Sequence, residues 1–308
     1  MEILTSLDNM KDGPVAVTIG SFDGVQRGHR AMVAEARALA DERGLPLMVV
    51  TFARHPRLLF SEGCPPFLLT DTDEKLSLLA AAGVERCLLL PFDQQMASLS
   101  ARDFMQQVLK DKMNVAMLAV GYDHHFGSPA SGEGIEQYIQ YGKELSMEVV
   151  QMHRYAPDGD AVSSSKIRGA LTAGDMQRAE LLLGRTYSFV GSVVQGAALG
   201  RRLGFPTANI SLAEPLRMLP LDGVYECRID VRAQSYKGVM NIGCKPTINN
   251  KERTIEVFII DFNGDIYGEK VRVEVLRRLR GERRFAGLDE LRAQIELDVR
   301  AVTGNKEQ

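Results

Sequence analysis

Apolar and polar positions along the chain fall into two textures that change near Arg185. Up to Leu183, short apolar runs alternate with stretches of helical spacing. Val15–Ile19, Leu47–Phe52, Cys87–Phe92, Val115–Val120 and Val149–Met152 predict buried strands. The stretches between them predict helices over Arg30–Arg43, Thr70–Ala82, Ser100–Met113 and Ile135–Met147, with a further helix over Ala170–Leu183. In the first, Met32, Ala36 and Leu39 share one face and Gly44 ends it. Such alternation means βαβ units wound right-handedly into a parallel sheet covered on both faces. From Tyr187 onward the pattern becomes short strands: Tyr187–Val194, Val224–Val231, Tyr236–Asn241, Thr254–Asp261 and Glu269–Leu279. These predict a small antiparallel barrel or sandwich. Asn263-Gly264 between the last two predicts a tight hairpin. Leu291, Ile295 and Val299 form the stripe of a closing helix, Leu288–Val302. The expected domains are 1–184 and 185–308.

Composition narrows the class. The chain has 308 residues, 45% hydrophobic and 25% charged, with a formal net charge of -3. That balance argues against a nucleic-acid surface. Cys64, Cys87, Cys227 and Cys244 lie far apart with no Cys-x-x-Cys pair, which fits free thiols in a reducing compartment. Met1–Asp8 lacks a basic region followed by an apolar run, and no apolar segment reaches the roughly 20 residues of a membrane span. A cytoplasmic protein is expected.

In the first half, the strand Val15–Ile19 runs into Gly20-Ser21-Phe22-Asp23-Gly24, then Gln26, Gly28, His29 and Arg30, with a helix beginning near Arg27. Glycines allow sharp turns and close backbone approach. A helix N-terminus offers unpaired N–H groups to an anion. Together they predict a nucleotide-phosphate cradle, although the stretch is neither a Walker A loop nor a Gly-x-Gly-x-x-Gly fingerprint. His55 follows the second strand and suits either a phosphate contact or a loop cap. Gly121–Gly127, with Asp123, His124 and His125, follows the fourth. Motifs that follow strands of one parallel sheet gather along its carboxyl edge. Ser164, Ser165, Lys166 and Arg168 open a helix and form a second candidate anion site.

In the second half, Gly196, Gly200, Arg201, Gly204, Pro206, Thr207 and Asn209 form a flexible, basic loop. Thr207 and Asn209 are two apart, so in an extended segment their oxygens face one side and suit Mg²⁺. Glu256 is a lone carboxylate in the apolar run Ile255–Ile260 and a general-base candidate. The basic run Arg277–Arg284 is either a solvated face or a flap over phosphates.

Taken in order, these motifs resemble the bacterial bifunctional riboflavin kinase/FAD synthetase family over nearly the whole chain. The carriers are Gly20–Gly24 with Gly28-His29, Gly121–Asp123 with Phe126-Gly127, Ser164–Arg168, Gly204–Asn209, Gly223–Tyr225, Asn241–Gly243 with Lys245–Thr247, and Glu256 through Phe262. The resemblance implies a Rossmann-type, nucleotidyltransferase-like α/β domain followed by a riboflavin-kinase β-barrel with a C-terminal helix. It implies phosphorylation of riboflavin by ATP to FMN, then adenylylation of FMN by a second ATP to FAD and pyrophosphate. Mg²⁺ is the implied metal, and riboflavin, FMN and ATP the implied partners. Glu256 would be the kinase base, Thr207 and Asn209 would hold Mg²⁺ and the terminal phosphates, and His29 with Ser164–Arg168 would stabilise the adenylyl site.

Three motifs depart from the family pattern. Gln26 stands where histidine is usual, and an amide cannot carry positive charge. Asp-Phe-Arg-Phe-Gly becomes Asp123-His124-His125-Phe126-Gly127, and Ser-Thr-Arg-Ile-Arg becomes Ser164-Ser165-Lys166-Ile167-Arg168. These bear on the rate of adenylyl transfer. They leave open a riboflavin kinase whose first domain is weakened or inactive. A non-catalytic flavin- or nucleotide-binding regulator is a further alternative, against which Glu256, Thr207 and Asn209 count.

Overall fold

The computed structural model describes all residues except 9, 11–12, 61–66, 128–132, 158, 197–199, 201–202, 247–250 and 305–308. The chain divides into two compact units, one of Met1–Pro65 with Thr70–Ser163, the other of Pro66–Leu69 with Ser164–Gln308.

The first unit is built on a six-stranded, wholly parallel sheet. Its strands are β1 (Glu2–Leu4), β2 (Val15–Ile19), β3 (Leu47–Phe52), β4 (Arg86–Leu90), β5 (Val115–Val120) and β6 (Glu148–Gln151), in the order β1-β4-β3-β2-β5-β6. Every residue of β2 and β3 is buried, as their unbroken apolar runs require of strands covered on both faces. β1 went unpredicted because three residues carry no periodicity. The helices are α1 (Arg27–Glu42), α2 (Arg57–Phe60), α3 (Thr72–Ala81), α4 (Gln94–Ser98), α5 (Ala101–Asp103) and α6 (Ile135–Glu144). The helix expected over Ser100–Met113 is instead the short α5 followed by a π-helix, Phe104–Lys110, whose wider turn buries Phe104, Met105, Val108 and Leu109. Strand order reverses direction at β2, which lies between β3 and β5. The crevice beyond the carboxyl ends of β2 and β5 is therefore the topological switch point, where ligands bind in open α/β sheets.

In the second unit, the helix expected over Ala170–Leu183 is broken in two. α7 (Ser164–Ala173) ends at Gly174, whose φ of +73° is left-handed, and Asp175 caps α8 (Met176–Leu183) by accepting from Arg178 N–H at 2.9 Å. Then come β7 (Tyr187–Val194), β8 (Thr207–Leu212), β9 (Gly223–Val231), β10 (Gln234–Pro246), β11 (Lys251–Ile259), β12 (Lys270–Arg280) and α9 (Leu288–Thr303). The strands close an antiparallel barrel in the order β10-β11-β8-β7-β12-β9, the barrel alternative of the two expected. α9 lays Val299 and Val302 against Val224, Val239 and Phe258.

The Asn263-Gly264 hairpin does not form, because β11 and β12 are not neighbours in the barrel. The tight hairpin is Arg232-Ala233 between β9 and β10, both left-handed at φ 49° and 64°. A short strap, Phe67–Leu69, belongs to this unit. Phe67 and Leu68 N–H both donate to Leu216 O at 2.9 Å, and Met218 N–H donates to Leu68 O at 2.9 Å. Arg168 Nε donates to Phe67 O at 2.9 Å, with its guanidinium over the Phe67 ring.

Candidate active sites

At the switch point, β2 runs into Gly20–Gln26. Phe22 and Val25 lie at φ 49° and 35°, a region that aromatic and β-branched residues rarely adopt. Such strain costs roughly 1–3 kcal/mol per residue and persists only where surroundings enforce it. Here a hydrogen-bonded knot does so. Gly24 N–H donates to Thr70 Oγ1 at 3.1 Å, and the buried Asp23 carboxylate accepts from Thr70 N–H at 3.2 Å. Asp23, expected among the phosphate-binding residues, thus has its carboxylate on Thr70. Buried Lys75 donates to Phe52 O at 2.7 Å. Desolvation lowers its pKa, while Asp23 favours its charge.

Gln26 is the N-cap of α1. Its side-chain oxygen accepts from Gly28 N–H and, at 3.3 Å, from His29 N–H. The amide oxygen therefore sits where an incoming anion would meet the helix. His29, in the first turn, sets its ring edge-on to Phe22 at 5.3 Å. Desolvation lowers its pKa to about 4, and His124 acts in the same direction. The β5 loop lies against α1: a Cβ on Gly121 would be 3.3 Å from Met32 Sδ and 3.4 Å from His124 Cβ. Gly20–His29 and Gly121–Gly127 are thus brought together, as the sheet argument requires.

Beside them is a cavity of about 300 Å³ walled by Phe52, Phe92, Phe104 and Phe126, with Ser21, His55 and His124 on its rim. His55 is among the residues lining the cavity, and its Nδ1 accepts from Arg57 N–H at 3.1 Å, the loop-cap reading of the two expected. The aromatic wall escaped sequence reasoning because its four rings come from separate segments. Ser164, Ser165 and Lys166 occupy the first turn of α7, in the second unit, where Arg168 holds the strap.

In the barrel, Glu256 of β11 stands opposite Asn209 of β8 on one side and Asn241 of β10 on the other, all three on one face. Thr207 Oγ1 donates to Glu256 Oε2 at 3.4 Å. Gly196 and Gly200 permit close approach. A Cβ on Gly196 would lie 2.1 Å from Asn209 Nδ2, and one on Gly200 would lie 2.3 Å from Phe205 O. Gly204 takes φ +87° before Phe205 and Pro206, and Arg201 lies outside the described residues. Two cavities meet at Thr207. One, about 330 Å³, is lined by Glu256, Asn241, Phe258, Phe285 and Leu291. The other, about 480 Å³, is lined by Pro206, Ala208, Phe262, Asn263 and Tyr267. Asn241 entered the sequence reading only within a family motif; that it stands beside Glu256 follows from barrel register. The arginines of the basic run are largely paired: Arg280 with buried Asp298 at 2.8 Å, Arg277 with Glu226 at 2.5 Å, and Arg283 with Glu290.

Residues 8–166 match the family model for FAD synthetase and residues 183–304 that for riboflavin kinase. A bifunctional riboflavin kinase/FMN adenylyltransferase of Pseudomonas fluorescens is 40% identical over 306 residues, covering 98% of this chain and 96% of that protein. The chain belongs to the bifunctional riboflavin kinase/FMN adenylyltransferase family. Members from Escherichia coli (strain K12) and Bacillus subtilis (strain 168) are 36% and 35% identical, covering 97% and 92% of this chain and 96% and 89% of theirs. A crystal structure described as a macrolide-efflux protein from Streptococcus pneumoniae covers 98% of both chains, with a TM-score of 0.86 and 31% identity. Among the described residues here, no helix is long and apolar enough to cross a membrane.

Proposed function

We propose that the second unit phosphorylates riboflavin to FMN and that the first transfers AMP from a second ATP to FMN. The observation that carries this reading is the junction of two cavities at Thr207, with Glu256 beside it. An aromatic-lined cavity suits a flavin ring, and the neighbouring polar one suits ATP. Glu256 accepts the proton of the terminal ribityl hydroxyl as that oxygen bonds to the γ-phosphorus. The bond from that phosphorus to the β-bridging oxygen breaks and ADP leaves. The hydroxyl oxygen of Thr207 and the amide oxygen of Asn209 are hard donors that fit Mg²⁺. When bound, Mg²⁺ supplies charge neutralisation at the terminal phosphates. Thr207 and Asn209 would hold it, with Gly200 and Gly204 letting the loop backbone reach the phosphates and positioning supplying most of the catalysis.

In the first unit, a phosphate oxygen of FMN attacks the α-phosphorus of ATP and pyrophosphate leaves, so no protein nucleophile is needed. The aromatic cavity takes the isoalloxazine ring, and the presence of His55 among its lining residues supports a contact to the FMN phosphate. His29 and the start of α1 face the phosphates of ATP. Free thiols at Cys87, Cys227 and Cys244 are consistent with a cytoplasmic setting.

Incubation of the purified chain with riboflavin, ATP and Mg²⁺, followed by chromatographic separation of flavins, should yield FMN first and then FAD. FMN alone, even when FMN is supplied, would remove adenylyl transfer; no product would remove both activities. Gly196→Ala tests the barrel loop. The added methyl displaces the Asn209 amide, so riboflavin phosphorylation should fall by roughly 10–100-fold with the melting temperature nearly unchanged.

A further inference from the structure

Buried polar atoms in folded proteins are almost always hydrogen-bonded, so an exception asks for a cause. Two exceptions fall in the same place. His29 Nδ1 and His124 Nε2 are both inaccessible and both lack a hydrogen-bond partner. The rings come from different elements, α1 and the β5 loop, yet lie close enough that charge on one disfavours charge on the other. A neutral imidazole has one donor and one acceptor nitrogen, so two orphaned nitrogens on neighbouring rings complement each other. The nitrogen used in such a pair fixes which nitrogen of the partner carries the proton.

We propose, resting on the adenylyl-transfer reading above, that His124 is a positioning residue for His29. The two nitrogens do not bond each other in the structure; as the phosphates of ATP arrive they close into a pair that takes up one proton, so that His29 meets them charged. Without ligand, desolvation holds each imidazole at a pKa of about 4, so both are neutral near pH 7. An arriving polyphosphate reverses that preference, because opposite charge favours the protonated form. On the same loop Asp123 favours a charged His124 and His125 opposes it. From α1 the titratable neighbour is His29, and Met32 is apolar; Phe22 is the contact from the β2 loop. His55 shares the cavity wall.

The test is the pH profile of kcat/KM for ATP in FMN-to-FAD conversion, with FMN saturating, for wild type, His124→Phe and His124→Gln. Phenylalanine keeps the ring that lies 6.1 Å from Phe126 but cannot pair or titrate. Glutamine cannot titrate, but its amide oxygen can accept from the Nδ1–H of a charged His29. Titration of ATP and FMN themselves cancels in the ratio of variant to wild type. The deficit of His124→Phe should widen as pH falls from 8 to 6, by up to about tenfold per unit for one proton. His124→Gln should recover the activity seen at high pH without the widening. Riboflavin phosphorylation should stay at the wild-type rate in both variants and serves as the folding control. A deficit equal at every pH would show a merely structural residue, and no deficit would show no role; either overturns the proposal. If wild type forms no FAD, the adenylyl-transfer reading fails separately. The pairing is then judged by imidazole ¹⁵N resonances of the full chain with and without ATP. One proton gained on ATP addition in wild type but not in His124→Phe supports it, and no difference overturns it.

Discussion

Glu256→Gln should lower the rate of riboflavin phosphorylation by about 10²–10⁴-fold, the range expected for loss of a general base. FMN-to-FAD conversion by the same preparation should be unchanged. The substitution is nearly isosteric, and the new amide oxygen can still accept from Thr207 Oγ1, as the carboxylate does at 3.4 Å. What disappears is the capacity to take a proton. Glu256 is only half-buried, and its position between Asn209 and Asn241 is set by barrel register rather than by its charge. The unfolding transition should therefore move little. Glu256→Asp keeps a carboxylate but withdraws it by one methylene, and should fall between the two. Undiminished FMN synthesis by the glutamine variant would remove the residue as base.

His29→Ala should have the complementary effect. FAD formation from supplied FMN should drop by roughly 10²–10³-fold, as when one preorganised donor to a developing anion is removed. Riboflavin phosphorylation should persist. The ring packs edge-on against Phe22, so some packing is lost, but the change also removes a buried nitrogen that lacks a partner. Those effects oppose one another, and a loss of activity without a matching loss of melting temperature separates catalysis from folding. The free imidazole is held neutral by desolvation, its pKa near 4. The loss is therefore one of a donor whose charge appears only with bound phosphate.

Much of this architecture was legible in the sequence. The unbroken apolar runs of β2, β3 and β5 announced a sheet covered on both faces, and their place after strands of one parallel sheet grouped Gly20–His29 with Gly121–Gly127 at its carboxyl edge. The change to short strands after Arg185 marked β7 at the bounds Tyr187–Val194. What failed was local in appearance but tertiary in cause. Asn263-Gly264 has the composition of a hairpin turn, yet barrel order separates the strands on either side of it. Arg232-Ala233 makes that turn without any glycine, because the pairing of β9 with β10 imposes left-handed backbone on both residues. Asp23 carries the residue type of a ligand, but the strained loop turns it onto Thr70. Gln26 read as a neutral donor, whereas α1 uses its oxygen as an acceptor. Asn241 and the four-ring cavity depend on residues far apart in the chain, and spacing alone cannot assemble them.

The Phe67–Leu69 strap bears on how far the chain is modular. The second compact unit is discontinuous, since three of its described residues come from a stretch long before its main body. A fragment beginning at Ser164 would leave the Leu216 carbonyl without two donors, the Met218 N–H without its acceptor and Arg168 without the carbonyl and ring it holds. Excision at the linear boundary is thus also a deletion from within, and a self-sufficient kinase fragment needs that lost strip supplied again, as a fused segment or an added peptide.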